Sequence, residues 1–80
     1  MSSDIEERVR RVLAATFGVP LDSITEGSDS DSLEGWDSMN HLHLILALEG
    51  EFDITFEPEE AVALVSVRAI ERAIRERKVG

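Results

Sequence analysis

The stretch from Met39 to Phe52, Met-Asn-His-Leu-His-Leu-Ile-Leu-Ala-Leu-Glu-Gly-Glu-Phe, decides the fold of this chain. At about 100° per residue, its apolar side chains cover more than half of a helix circumference, so one core-facing stripe cannot use them all. We expect one side of this arc to be buried and the other side to be partly exposed. The expected buried residues are Leu44, Ile45, Leu48 and Phe52. The residues expected to be partly exposed are Met39 and Leu46.

Helical spacing also marks both ends of the chain. Near the start, Ser2 or Ser3 can cap a first helix that Gly18 can end. Farther on, Pro58 can open a short helix that runs through Val62. The expected inward residues of the first helix are Ile5, Val9, Val12, Leu13 and Phe17. Those of the last helix, which Ser66 can cap, are Val67, Ile70, Ala73 and Ile74.

A long loop is predicted between the first and second helices, from Val19 to Asp37, because glycine, serine and aspartate accumulate there. Its isolated apolar residues, which we expect to pin it to the core, are Leu21, Ile24, Leu33 and Trp36. No segment alternates with the period of a strand over a useful length. The sequence therefore predicts an all-α fold in which residues 1–80 form a single domain. That domain is a small bundle of three main helices plus one short helix.

Charge is distributed unevenly along the chain. The formal net charge is −9, and no lysine or arginine lies between Arg11 and Arg68. Such an acidic field repels nucleic acid and attracts basic protein surfaces. The chain has no cysteine for disulfides or thiolate metal sites, and no apolar run of about 18 residues that could span a membrane. We therefore expect a cytoplasmic, monomeric protein with no metal site, no membrane contact and no nucleic acid partner.

Ser38 stands where the acidic loop meets the second helix, so its hydroxyl is expected at or beside the N-cap and near solvent. An anion attached there would lie at the positive end of the helix dipole, although Asp37 partly offsets this attraction. The ordinary role of a serine at such a place is capping alone. A hydrolase triad of Asp37, Ser38 and His41 is disfavoured, because nothing indicates an oxyanion hole or a strained turn.

The run Gly35-Trp36-Asp37-Ser38-Met39, with the helix that follows it, resembles the acyl carrier protein family, whose signature is Asp-Ser-Leu at the start of such a helix. Both the first helix and the acidic Glu57–Ala61 stretch are similar to that family as well. The resemblance implies that a phosphopantetheinyl transferase joins 4'-phosphopantetheine from coenzyme A to Ser38. It further implies that the arm holds acyl groups as thioesters for partner enzymes, and that the chain itself has no catalytic residue.

Two features complicate the resemblance. Asp31-Ser32-Leu33 spells the family tripeptide, but no helical pattern follows Ser32 directly, so Ser38 is favoured. Asn40, His41 and His43 stand where such carriers usually place acids, so docking on a standard basic patch is less strongly indicated. Trp36 and the two histidines favour a specialised pathway of polyketide or nonribosomal type. The expected partners are acyl-loading, condensing or transferring enzymes with basic docking surfaces. The predicted docking residues are Asp37, Met39, Asn40, His43, Leu46, Glu49, Glu59 and Glu60.

The alternative from another class is a noncovalent helical adaptor, which would bind a basic protein through the same acidic face. Sequence alone does not identify the acyl or aminoacyl cargo, because a flexible arm would carry it and partner enzymes would choose it.

Overall fold

Four α-helices and one 3₁₀ turn make up the part of the chain that the computed structural model describes, namely the backbone of residues 2–79 and the side chains of residues 5–77. The elements are α1 (Ser2–Phe17), the turn Leu21–Ser23, α2 (Ser38–Phe52), α3 (Pro58–Ala63) and α4 (Val67–Val79). The predicted all-α bundle, with one short helix and a long loop before the second main helix, is confirmed.

The core lies where α1, α2 and α4 meet. Every residue expected to face inward from α2 and α4 is buried. From α1, Val9 and Leu13 are fully buried, whereas Ile5, Val12 and Phe17 pack against the edge of the core. The interior is thus filled mainly by aliphatic side chains of these three helices, with Phe52, Phe56, Ile24 and Leu64 beside them. Burial of these side chains is the main source of stability for a chain of this size.

Of the two predicted ends of α1, only the C-terminal end can be compared with the structure. Gly18 ends the helix as predicted, with a left-handed φ of +68° that a glycine adopts without strain. The helix already includes Ser2, and the side chains of Ser2 and Ser3 lie outside the described residues. The predicted capping role of those two serines therefore stays a prediction.

Arg8 fastens α1 to the last turn of α2. Its Nε donates to the Glu51 carboxylate at 2.9 Å, and a terminal nitrogen donates to the Glu51 carbonyl oxygen at 2.8 Å. The guanidinium also lies over the Phe52 ring, 4.5 Å from its centroid. One side chain thereby binds both a charge and a buried aromatic residue of the neighbouring helix.

Main-chain hydrogen bonds hold the long loop against the α3–α4 junction. The Ser30 N–H donates to the Val65 carbonyl oxygen at 2.9 Å, and the Val67 N–H donates to the Ser28 carbonyl oxygen at 3.0 Å. This pairing forms the one isolated β-bridge of the described residues, between Asp29 and Ser66. Main-chain hydrogen bonds therefore fix the position of this part of the loop.

Three of the four loop residues expected to pin the loop do so. Ile24 is buried, while Leu33 and Trp36 pack on the edge of the core. The expectation for Leu21 was wrong, because that side chain is 39% exposed. Val19, just before Pro20, packs on the core instead, and the turn that contains Leu21 has no buried residue.

No helix in residues 2–79 is long and apolar enough to cross a membrane. The cytoplasmic location, the monomeric state and the single-domain extent of residues 1–80 stay predictions.

Candidate functional site

The turn before α2 positions the residues around Ser38. Gly35 has a φ of +92°, a conformation that L side chains rarely adopt, so glycine suits this corner of the loop. The Gly35 carbonyl oxygen accepts the Asn40 side-chain amide at 2.7 Å and the Asp37 N–H at 3.0 Å. The chain is therefore turned into α2 by a glycine and held there by an asparagine from the first turn of the helix.

Asp37 is the N-cap of α2, and Ser38 is the first helical residue. The Asp37 carboxylate accepts the Asn40 N–H at 2.9 Å, which satisfies one of the donors that a helix start leaves free. Capping by Asp37 leaves the Ser38 hydroxyl unneeded for that purpose, and Ser38 is exposed. This is the position beside the N-cap that the sequence predicted.

His41 joins the loop, α2 and α3 through both of its ring nitrogens. Trp36 Nε1 donates to His41 Nδ1 at 3.0 Å, so the ring hydrogen lies on Nε2, which is 2.8 Å from the Ala61 carbonyl oxygen. Phe17 packs against Trp36, with 5.2 Å between the two ring centroids. Because both ring nitrogens are engaged, His41 is not available as a base for Ser38.

An open groove of about 460 Å³ lies beside Ser38. Its lining residues are Ser30, Trp36, Asp37, Ser38, His41, Val62 and Val65. The two valines belong to α3 and the α3–α4 junction and are 73% and 42% exposed, so the wall opposite Trp36 is apolar and open to solvent. The exposed Ser38 side chain therefore lies next to an apolar surface within the same groove.

The outer face of α2 carries an exposed apolar stripe, formed by Met39, Leu42 and Leu46. These side chains are 63%, 55% and 58% exposed. Their spacing of three and four residues places them on one side of the helix. The exposure expected for Met39 and Leu46 is confirmed, and His43 is also exposed. Leu42 was not among the predicted docking residues, although its spacing from Met39 was a usable signal.

Three of the four acids predicted for docking have partners within the fold, among them Asp37, whose carboxylate accepts the Asn40 N–H. The Glu49 carboxylate accepts the Phe56 N–H at 2.8 Å. Glu60 pairs with the Arg77 guanidinium, which donates at 2.7 Å and holds the pKa of Glu60 below its usual range. Asp37 and Glu59 are exposed. The acids near α2 therefore differ in how freely a partner could contact them.

Ser32, the other serine in an Asp-Ser-Leu sequence, lies in a closed turn of the loop. The Asp29 carboxylate accepts the N–H groups of Ser32 and Asp31 at 2.9 and 3.1 Å, and the Ser32 hydroxyl accepts the Asp29 N–H at 3.1 Å. The hydrogen bonds that the carboxylate accepts, those from Ser32 first, hold the pKa of Asp29 below its ordinary value. Ser32 thus stabilises a turn, and no helix begins beside it.

The chain matches one family model, described as the phosphopantetheine attachment site, over residues 7–74. The matched span runs from α1 into α4, so it includes the turn before α2, the groove and the exposed stripe.

Proposed function

The chain belongs to the phosphopantetheine attachment-site family, and on that premise we propose that Ser38 is the residue that bears the prosthetic group. Members of this family carry 4'-phosphopantetheine, and the chain is accordingly a carrier protein of the acyl carrier type. Carrier domains of this kind are generally not catalytic, and we infer that this chain delivers its cargo without reacting with it.

The choice of Ser38 is supported most directly by its exposure at the first position of α2, beside the open groove. Attachment would join Ser38 Oγ to phosphorus in a phosphodiester. The pyrophosphate bond of coenzyme A would break, and adenosine 3',5'-bisphosphate would leave. The free N–H groups of the first helical turn favour an anion at this place. Ser32 is exposed as well, but its hydroxyl is bound into a turn, no helix begins beside it, and it does not line the groove.

When bound, the group supplies a thiol on which acyl groups are held as thioesters. The residues of this chain would orient the arm, because Trp36, Val62 and Val65 offer apolar contacts beside its attachment point. An arm fixed at one end also raises the effective concentration of its cargo at a docked enzyme. The expected contribution of the chain is therefore tethering and presentation.

For the docking surface, we propose the exposed stripe of α2 together with the acids around it. Met39 and Leu46 would supply apolar contacts to a partner, and Asp37 and Glu59 would supply exposed charge. The charge of the chain, −9, favours partners with basic surfaces. The first partner is a phosphopantetheinyl transferase, followed by acyl-loading, condensing or transferring enzymes. Asn40, His43, Glu49 and Glu60 complete the proposed set.

We further propose that the carrier serves a specialised pathway of polyketide or nonribosomal type. The support is the neutral or weakly basic character of Asn40 and His43 in the first turns of α2. The test compares loading of the modified protein by enzymes from such pathways with loading by fatty acid synthase enzymes. Faster loading and elongation by the fatty acid enzymes would contradict this part of the proposal.

The attachment site is tested by intact-protein mass spectrometry after incubation with coenzyme A and a broad-specificity phosphopantetheinyl transferase. The native chain should gain the mass of one phosphopantetheine, and the Ser32→Ala variant should gain it equally. Ser38→Ala should gain nothing while keeping its helical circular dichroism spectrum. A mass gain that persists in Ser38→Ala would refute the assignment. No gain in the native chain, beside a working control carrier, would favour the noncovalent adaptor.

A further inference from the structure

A buried carboxylate on α4 takes no part in the site described above. Glu71 lies on the apolar face of the helix, four residues from Val67, and only 2% of its side chain is exposed. No N–H or O–H donor among the described residues reaches its Oε2 atom. A buried oxygen without a donor is costly, so this atom needs either a proton shared with a neighbouring carboxylate or a bound cation.

Two further carboxylates converge on Glu71 from other parts of the fold. Glu6 comes from α1 and Glu26 from the long loop, and one oxygen from each of the three residues lies within 4.8 Å of the others. Acceptor oxygens repel one another unless a proton or a cation lies between them. Arg75 offsets part of this repulsion, because its guanidinium lies 3.0 Å from the Glu6 carboxylate and 3.9 Å from the Glu71 carboxylate.

We propose that Glu6, Glu26 and Glu71 bind a divalent cation of the oxygen-preferring class, for which Ca²⁺ is the probe, and that the ion ties α1, the long loop and α4 together. Such an ion would bind regardless of which residue bears the prosthetic group.

The spacing of the three oxygens suits such an ion. Calcium binds oxygen at about 2.3–2.6 Å, so ligands on opposite sides of it are about 4.6–5.2 Å apart. The side chains of Glu6 and Glu26 are 36% and 47% exposed, which lets water complete the coordination. Arg75, together with Arg68 at 4.0 Å from Glu26, lowers the net negative charge of the site. We therefore expect a weak site, with a Kd on the order of 10⁻⁴–10⁻³ M.

The test follows thermal unfolding and calorimetric titration of the metal-free protein with Ca²⁺, and with Mg²⁺ as a second probe. At about ten times the Kd, the ion should raise Tm by about 5–10 °C. Glu71→Gln and Glu26→Gln should each weaken binding at least about tenfold, since each removes one charged ligand. Glu76→Gln is the matched control, because it removes the same charge from an exposed position of α4 and should bind as the native chain does.

A second readout separates a specific site from loose screening of the acidic surface. Added KCl should remove a Tm shift that comes from loose screening, and it should leave most of a shift that comes from a coordinated ion. Only the salt-sensitive part of the shift should persist in Glu71→Gln. Equal Tm shifts in the native chain, Glu71→Gln and Glu76→Gln would overturn the proposal, as would the absence of any shift in the native chain at pH 8.

Discussion

Trp36 donates its indole hydrogen to His41, with 3.0 Å between the two nitrogen atoms, and this bond fixes the wall of the groove next to Ser38. The second ring nitrogen of His41 lies 2.8 Å from the Ala61 carbonyl oxygen. A surface feature on three separate elements is thereby held by directional bonds as well as by packing. The shape of the groove should depend on one imidazole.

His41→Ala should lower the free energy of unfolding by about 1–3 kcal/mol, because two partly buried hydrogen bonds are lost and their partners stay behind. Urea unfolding followed by circular dichroism measures the change. His43→Ala is the matched control, since His43 is exposed on the same helix and its removal should change stability by less than about 0.5 kcal/mol. Equal losses in the two variants would contradict the role given to the Trp36–His41 pair.

Asp37→Ala should destabilise the protein by about 1 kcal/mol, because the Asn40 N–H loses its acceptor at the start of α2. Asp37→Asn keeps a capping oxygen and should cost only a few tenths of that amount. Urea midpoints of the two variants distinguish capping from charge. If Asp37→Asn were as damaging as Asp37→Ala, the carboxylate charge would matter more than the cap.

Stability should fall as the pH rises from about 4.5 to about 7. Burial first, and then the nearby carboxylates of Glu26 and Glu6, raise the pKa of Glu71 from 4.5 to about 7, while Arg75 opposes the change. In that window the unfolded chain releases a proton that the folded chain keeps, so unfolding becomes easier by on the order of 2 kcal/mol. Urea unfolding in metal-free buffers across the window measures this slope.

Glu71→Gln should flatten that slope, and Glu76→Gln should leave it unchanged. Because the pKa of Glu60 is lowered by its pairing with Arg77, that ion pair contributes fully above pH 4.5 and is lost only as the pH falls further. Confining the measurement to pH values above 4.5 therefore keeps the loss of that ion pair out of the slope. A slope that persists in Glu71→Gln would assign it to other groups.

Arg77→Ala should cost about 1–2 kcal/mol of stability. Arg77 donates to the Glu60 carboxylate at 2.7 Å and to the Thr55 carbonyl oxygen at 3.1 Å, and its guanidinium lies 5.0 Å from the Phe56 ring centroid. The side chains of Arg77 and Glu60 are each 28% exposed, and this limits the stability that their charges alone contribute. Thermal unfolding beside Arg72→Ala, an exposed arginine of the same helix, gives the comparison. Equal effects would remove the special role of Arg77.

Leu46→Asp should lower kcat/KM for modification by the phosphopantetheinyl transferase by about tenfold, because it places a charge in the apolar stripe proposed for docking. The free energy of unfolding should change little, since Leu46 is 58% exposed. Ala47→Asp adds the same charge to the next exposed residue of α2, away from the stripe, and should be modified more readily. Similar rates for both variants would indicate a general charge effect.

Periodicity made most of the fold predictable. Leu44, Ile45, Leu48 and Phe52 were separable from Met39 and Leu46 because a helix brings every third or fourth side chain to the same face. The sequence did not indicate which loop residues would lie against the core. The misplacement of Leu21 arose because sequence cannot say whether a residue before or after Pro20 will pack on the core.

The candidate site was predictable only as far as it is local. Ser38 stands directly before a helical pattern, so its position followed from the sequence. The groove needed Val62 and Val65, which contact it from distant parts of the chain. The carboxylate cluster was also hidden, although Glu71 within the apolar face of α4 was a signal that a buried charge was present.

The main-chain pairing of the long loop with the α3–α4 junction bears on protein engineering. The N–H groups of Ser30 and Val67 donate to backbone carbonyl oxygens of the opposite segment. The position of the loop therefore depends little on the identity of its exposed side chains. Acidic residues such as Asp31 and Glu34 could be exchanged for basic ones to redirect partner choice while the scaffold is kept. Proline is the exception at position 30 or 67, since it removes the N–H that joins the two segments.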